Sequence, residues 1–209
     1  INSKRLCEDD AYCSHIKKLE AENFYRWNLS LYRSDAGLHE STPWYATNYD
    51  DNNWQTVNMF SQSWGNNGLN PIGGSHWLRQ DIEIPQSWNG KEATLRLGCI
   101  VDADSVYVNG VFVGTTSYQY PPRIYRIPAG ILKSGKNNIT VRIISNGGQP
   151  GFVQEKPYKI ICDNEEINLK QKWKYRLGAP MPPAPEMMFF WYKPVCLYNA
   201  MIAPLQNYS

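Results

Sequence analysis

Three imidazoles, two closely spaced carboxylates and a set of loop aromatics are the groups in this sequence with chemistry to offer. His15 follows Ser14 and His76 follows Ser75, so two hydroxyl–imidazole neighbours exist along the chain. A serine hydroxyl becomes a useful nucleophile only when a base within hydrogen-bond reach takes its proton. His76 falls in a segment that reads as a strand, where adjacent side chains point to opposite faces, so Ser75 and His76 cannot meet. His15 sits beside Ser14 on a helix, His39 stands alone, and no G-x-S-x-G elbow occurs. All three histidines are read as surface or structural groups, and no catalytic residue is assigned.

Asp102 and Asp104 have the two-residue spacing that places side chains on one strand face, as a metal pair or an acid and base would require. Their position before a hairpin favours a plainer role as turn-flanking residues. Asp50, Asp51, Asn52 and Asn53 form an oxygen-rich cluster, yet lack the glycine and distant bidentate carboxylate of a calcium loop. Neither a metal nor a cofactor is expected. The remaining candidates are aromatic. Trp64 with Asn66, and Tyr118 with Tyr120, stand in loops beside amides, where a ring can stack on the apolar face of a pyranose while amides bond its hydroxyls. The same rings would serve equally as plugs over the end of a sandwich.

Positioning these groups falls to three stretches of chain. From about Asp10 to Ala36 the residues Ile16, Leu19, Phe24, Trp27 and Leu31 recur at helical spacing, and Gly37 is a natural stop. After Pro43 the pattern changes to strands. The clearest are Trp77 to Ile84, Ala93 to Val101 with Ala93, Leu95, Leu97, Cys99 and Val101 on one face, and Asn138 to Ile144. Between them Asn109-Gly110 separates Val106-Tyr107-Val108 from Val111-Phe112-Val113, a hairpin signal. After Gly178 the proline-rich run from Ala179 to Pro185 is read as a linker that continues neither helix nor sheet. The fold class expected is all-β, an antiparallel sandwich with an N-terminal flanking helix. Its divisions are residues 1–42, 43–178 and 179–209.

Composition narrows the partners. The 209 residues carry 21 Lys and Arg against 19 Asp and Glu, a net charge of +2 that provides no footprint for nucleic acid. The longest apolar run, Met187 to Tyr192, is six residues where a spanning helix needs about 20, so no membrane partner is expected. The chain opens at Ile1 without an apolar signal segment, and an upstream portion is expected to be missing. Five cysteines without a C-x-x-C pair argue against a zinc cluster and leave at least one thiol free or paired between chains; a Cys7 to Cys13 bridge is one allowed pairing. Eight Trp and fourteen Tyr supply flat apolar faces with polar handles, suited both to sugars and to sandwich cores.

An ordered series of segments resembles a known family. Asp50-Asp51-Asn52-Asn53-Trp54, Trp77-Leu78-Arg79 leading to Ile84-Pro85 and Trp88-Asn89-Gly90, Val106-Tyr107-Val108-Asn109-Gly110 with Val113-Gly114, and Gly135-Lys136-Asn137-Asn138-Ile139-Thr140-Val141 are similar to the sugar-binding jelly roll of glycoside hydrolase family two. The flanks Asp35-Ala36-Gly37-Leu38 and Leu197 to Leu205 are similar to the segments bracketing that domain in bacterial sialate O-acetylesterases. There the jelly roll is inserted into an SGNH-type esterase, whose nucleophile lies in a Gly-Gln-Ser-Asn segment and whose second block is Gln-Gly-Glu-Ser. Neither motif occurs here. The resemblance therefore implies an antiparallel jelly-roll sandwich of the galactose-binding-domain-like kind, with Trp54, Trp77 and Trp88 at fixed packing places in the series. It would act as a non-catalytic carbohydrate-binding or scaffolding domain, with a sialoglycan and the rest of the esterase as partners and a periplasmic or secreted location. A self-sufficient esterase or glycosidase is the competing reading.

Overall fold

The computed structural model describes residues 10–60, 65–70, 72–145 and 149–182. Helix α1 (Asp10–Ser34) is followed directly by a single turn, α2 (Ala36–His39). Twelve strands follow: β1 (Gln55–Val57), β2 (Gly74–Ile84), β3 (Ala93–Leu97), β4 (Ile100–Val101), β5 (Ala103–Val108), β6 (Val111–Thr116), β7 (Ile124–Ile127), β8 (Gly135–Ser145), β9 (Gly151–Phe152), β10 (Tyr158–Cys162), β11 (Glu165–Asn168) and β12 (Trp173–Pro180). They form a six-stranded sheet in the order β1-β12-β2-β8-β5-β6, a four-stranded sheet β11-β10-β3-β7, and the small pair β4-β9, with every pairing antiparallel. The fold is thus an all-β antiparallel sandwich with an N-terminal helix.

Alternation builds the main core. Leu78, Ile82 and Ile84 of β2, Ile139, Val141 and Ile143 of β8, and Val106 and Val108 of β5 face Leu95 and Leu97 of β3 and Ile160 of β10, all in one buried cluster. Less expected is the opposite face of the large sheet. Residues Gly74–Gln80 of β2 and Asn137–Ser145 of β8 are buried without interruption, so this sheet is covered on both sides. The second cover is the segment from the end of α1 to Trp54. Its Trp44 and Trp54 pack with Trp77 and Tyr107 of the sheet into a separate aromatic cluster, and Tyr45 stacks on Tyr107 at 4.4 Å. Of the helical stripe, Trp27 and Leu31 are buried and Leu19 is half-buried; the side chains of Ile16 and Phe24 lie outside the described residues. Trp54, Trp77 and Trp88 are all buried, as packing residues should be.

Two local expectations change. The strand expected from Ala93 to Val101 stops at Leu97, because Gly98 takes φ +53° and resets the alternation. Ile100 then points inward, while Cys99 and Val101 are only half-buried. At the other end β12 runs two residues past Gly178: after a register shift Ala179 and Pro180 pair with Ser75 and Gly74. A proline carbonyl still accepts a hydrogen bond, and at the last position of a strand the missing donor is tolerated. Beyond β12 the Met181 amide donates to the Gly73 carbonyl and the Pro182 carbonyl accepts from the Trp27 indole at 2.8 Å, so this part of the run is docked on the fold. Residues 183–185, the Met187 to Tyr192 stretch, the Leu197 to Leu205 tail and the Cys7 to Cys13 pairing lie outside the described residues. Among the described residues Cys99 and Cys162 are free thiols, and no helix is long and apolar enough to cross a membrane.

The β5–β6 hairpin has the geometry its sequence requires. Asn109 and Gly110 both take positive φ, 49° and 79°, as a type I′ turn demands. Gly110→Val should cost roughly 1 to 3 kcal/mol through backbone strain, since a Cβ there would meet no atom closer than the Tyr45 carbonyl at 3.5 Å. The expected readout is a lower melting temperature; a wild-type value would show that strain at this turn is not what holds the hairpin.

Candidate functional site

Groups that looked chemically capable are engaged in structure. His76 lies with Leu78 on the inward face of β2, and Ser75 lies with Trp77 on the other, so the two side chains are separated by the sheet itself. The His76 Nε2 faces the Ile72 carbonyl at 3.0 Å, which makes it the protonated nitrogen. Nδ1 then accepts from the Tyr175 hydroxyl at 2.9 Å. A neutral imidazole satisfies both contacts, and with no exposed surface it is in no position to act on a solvent-borne substrate. His39 faces the Tyr32 carbonyl at 2.9 Å, and His15 is exposed on α1.

The carboxylates are equally committed. Asp35 accepts from the Gly37 amide, the Trp77 indole and, at 2.7 Å, the Arg142 guanidinium. Asp51 accepts from Arg79 at 2.7 Å and from Lys174. Burial would raise its carboxyl, but those two cations hold it below the usual carboxylate range. The Asp50–Asn53 cluster is therefore a turn, with Asp50 capping the Asn52 amide at 3.0 Å. Asp104, fully buried, accepts from Arg123 at 2.6 Å and from the Tyr125 hydroxyl at 2.5 Å. Asp102 instead accepts from Ser145, 3.0 Å away, so Asp102 and Asp104 do not converge on a metal or a substrate. No cluster of three His, Cys, Asp or Glu suited to a metal is present among the described residues.

Arg123 connects this buried chemistry to the loop aromatics. While its Nε engages Asp104, Nη1 donates to the carbonyls of Gln119 and Pro121, and Nη2 to those of Ile100 and Asp102. The β6–β7 loop is thus gripped from within by an arginine with no solvent exposure. On its outer side Tyr118 and Tyr120 remain 48% and 66% exposed, their rings 5.1 Å apart and nearly perpendicular. They make an aromatic corner rather than a coplanar platform. Asn66 is exposed in a turn over Gly65–Asn67 that is tied to Gln55 of β1, and Trp64 lies outside the described residues. β1 and β6 are opposite edges of the six-stranded sheet.

A second feature had no counterpart in the sequence reading. At the turn end of the β5–β6 hairpin the cover segment, β2 and the start of β8 enclose a polar cleft of about 220 Å³. The cover contributes Thr47, Tyr49 and Asp51, and β2 contributes Arg79 and Asp81. Asn109, Lys136, Asn137 and Asn138 close it. The Asn109 side chain donates to the Ile131 carbonyl and to Asn137 Oδ1, and accepts from the Asn138 amide. Val-Asn-Gly and Gly-Lys-Asn-Asn were legible as motifs, but nothing in them showed that they would lock together.

No protein-family model and no curated protein matches the chain. Among solved structures, it is similar to β-glucuronidase 2 of Bacteroides uniformis at 18% identity and TM-score 0.45, over 65% of this chain and 16% of that one. It is also similar to a Ruminococcus gnavus β-glucuronidase at 21% identity and TM-score 0.34, over 44% of this chain and 15% of that one. The chain therefore spans about one sixth of those enzymes. Likeness at this level carries no argument about activity.

His76 sets a pH dependence. Burial pushes its imidazole down to about 4, against the opposing pull of the Ile72 carbonyl and Asp35. The folded value lies below the unfolded one, so the unfolded chain binds the proton first as pH falls. The resulting stability is fully present above about pH 6.5 and is lost between there and about pH 4, on the order of 3 kcal/mol. Asp104 opposes it: burial raises that carboxyl to about 6 despite Arg123, which favours the fold at low pH and weakens it as pH rises toward 6. The measurement is therefore a difference. Urea midpoints of His76→Gln, relative to wild type, should lack the component that rises from pH 4 to 6.5; parallel profiles would refute the assignment.

Proposed function

We propose that this chain is a non-catalytic carbohydrate-binding domain of a carbohydrate-active enzyme, with a bacterial sialate O-acetylesterase as the parent. The observation that carries the binding role is the pair Tyr118 and Tyr120, exposed on a loop that the buried Asp104–Arg123 pair holds from beneath. Large exposed aromatics on a pre-ordered loop lose little conformational freedom on binding, which is how a small contact area becomes useful to a sugar ring. The parent enzyme rests on the ordered resemblance of the jelly-roll segments and their flanks, and so does a periplasmic or secreted location. The non-catalytic role rests on the engagement of His76, Asp35, Asp51 and Asp104 in structural contacts. The sequence groups Asn66 and Trp64 with this site, but the turn holding Asn66 is tied to β1, at the edge of the large sheet opposite β6, so the tyrosine pair carries the reading.

Titration of the chain with sialyl and galactosyl glycosides, followed by backbone amide shifts, tests the reading. Dissociation constants on the order of millimolar are expected, because captured hydroxyls were already well solvated. Tyr120→Ala should weaken binding roughly five- to tenfold, the equivalent of about 1 to 1.4 kcal/mol of ring contact, without lowering the melting temperature. Aryl acetate should show no turnover above buffer. Hydrolysis that survives purification and disappears on substituting Ser75 or His76 would replace this reading with that of a self-sufficient esterase.

A further inference from the structure

The cleft at the hairpin end carries an inference that rests on the carbohydrate-binding reading and goes beyond it. We propose that this cleft is a second sugar site, distinct from the Tyr118–Tyr120 corner, and that it takes a single uncharged pyranose read by Asp81 and Lys136.

The lining groups differ in the hydrogen-bonding capacity they retain. Asn137 donates to the carbonyls of Lys133 and Gly135 and accepts from the Lys133 amide and from Asn109. With Asn109 similarly engaged, these two amides are the frame of the cleft and not its reading groups. Asp81 differs. Its Oδ1 accepts from Asn138 Nδ2 at 2.9 Å and its Oδ2 from Lys136 Nζ at 2.9 Å, so each oxygen has a lone pair left. Lys136 Nζ has two donors beyond that contact. The Asp81 and Lys136 side chains are 36% and 70% exposed, so both can be reached from solvent.

A carboxylate beside an ammonium suits vicinal hydroxyls. Each sugar hydroxyl both donates and accepts, so one hydroxyl can donate to Asp81 while its neighbour accepts from Lys136. The pair is also pre-aimed. Arg79 donates to Thr140 Oγ1 at 3.1 Å, Thr140 donates to Asn138 Oδ1 at 2.7 Å, and Asn138 in turn donates to Asp81. A chain of bonds thus runs from a buried guanidinium to the exposed carboxylate, and it lies on the long central strands β2 and β8 rather than on a loop. Tyr49 supplies the aromatic wall.

Size and charge define the ligand. At about 220 Å³ the cleft falls below the roughly 300 Å³ at which drug-sized sites begin, which suits contact with one ring. Of its two carboxylates, Asp51 is paired with both Arg79 and Lys174, and Asp81 with Lys136, so each of these cations already has a carboxylate partner. A sugar bearing its own carboxylate would meet Asp81 with no unpaired cation to receive it. The cleft therefore discriminates against sialic and uronic acids in favour of neutral hexoses.

The test uses the full chain, labelled with ¹⁵N, and titrates methyl β-galactopyranoside, methyl α-mannopyranoside, methyl β-glucopyranoside and N-acetylneuraminic acid in turn. A neutral glycoside should shift the amides of residues 109, 110 and 136–138. Asp81→Ala should weaken that response at least tenfold, as expected when a hydrogen bond to a charged group is lost, and Tyr118→Ala should leave it unchanged. Lys136→Met, at a largely exposed position, repeats the test independently should Asp81→Ala lower the melting temperature. Shifts confined to residues 117–121 would overturn the second site and leave the domain's carbohydrate-binding role standing. Absence of any shift with any sugar would overturn both. N-acetylneuraminic acid acting on residues 136–138 as strongly as the neutral glycosides would overturn the charge argument.

Discussion

Two arginine–carboxylate contacts hold the N-terminal cover onto the large sheet, and the rest of the architecture depends on them. Arg142 of β8 meets Asp35 at the junction of the two helices, and Arg79 of β2 meets Asp51 just before Trp54. Both arginines project from the sheet face that a simple sandwich would leave in water. Desolvating a guanidinium and a carboxylate costs several kcal/mol per ion, and the geometry that offsets this is strict. Asp35 supplies it by also capping α2 and receiving the Trp77 indole; Arg79 supplies it by also bonding the carbonyls of Trp44 and Ala46 and the Thr140 hydroxyl. Removing one partner would leave a charge stranded between two layers, a loss of about 3 to 5 kcal/mol. The cover is therefore part of the folded unit.

That arrangement explains the polar composition of strands buried on both faces. A strand covered on both sides usually reads as a continuous apolar run. Here β2 begins Gly-Ser-His-Trp-Leu-Arg-Gln, and these seven residues are all buried, because one face meets the main hydrophobic core while the other meets an aromatic and ionic layer. Arg176 over the Trp44 ring at 4.8 Å belongs to the same layer. The device is repeated at the β6–β7 loop, where Arg123 and Asp104 are wholly buried and order a loop whose outer residues face solvent. In each case charge is used to position backbone. Among the described residues, the Tyr118–Tyr120 corner and the hairpin-end cleft are the two surfaces to which the proposed sugar contacts are assigned.

Much of this was legible in the sequence because it depends on short-range rules. Strand alternation in β2, β3 and β8, the helical spacing before Gly37 and the Asn109-Gly110 turn follow from periodicity and backbone preference, and the tryptophans assigned to packing are buried. The Ser75–His76 separation followed from strand geometry alone. Opposite cases needed the third dimension. Gly98 ends β3 and redirects Ile100, although Ala93 to Val101 alternates well enough to read as one strand. Asp104 and Arg123 are 19 residues apart, and Asp35 and Arg142 are 107 apart; no local pattern links such partners. The cleft gathers residues from positions 47 to 138 and has no sequence signature at all. Periodicity is a property of neighbours and survives reading in one dimension, so the sandwich, its helix and its turns are legible in residue order. Partner choice among buried charges, and the cavities left between layers, depend on which faces pack together, and residue order carries no local record of that.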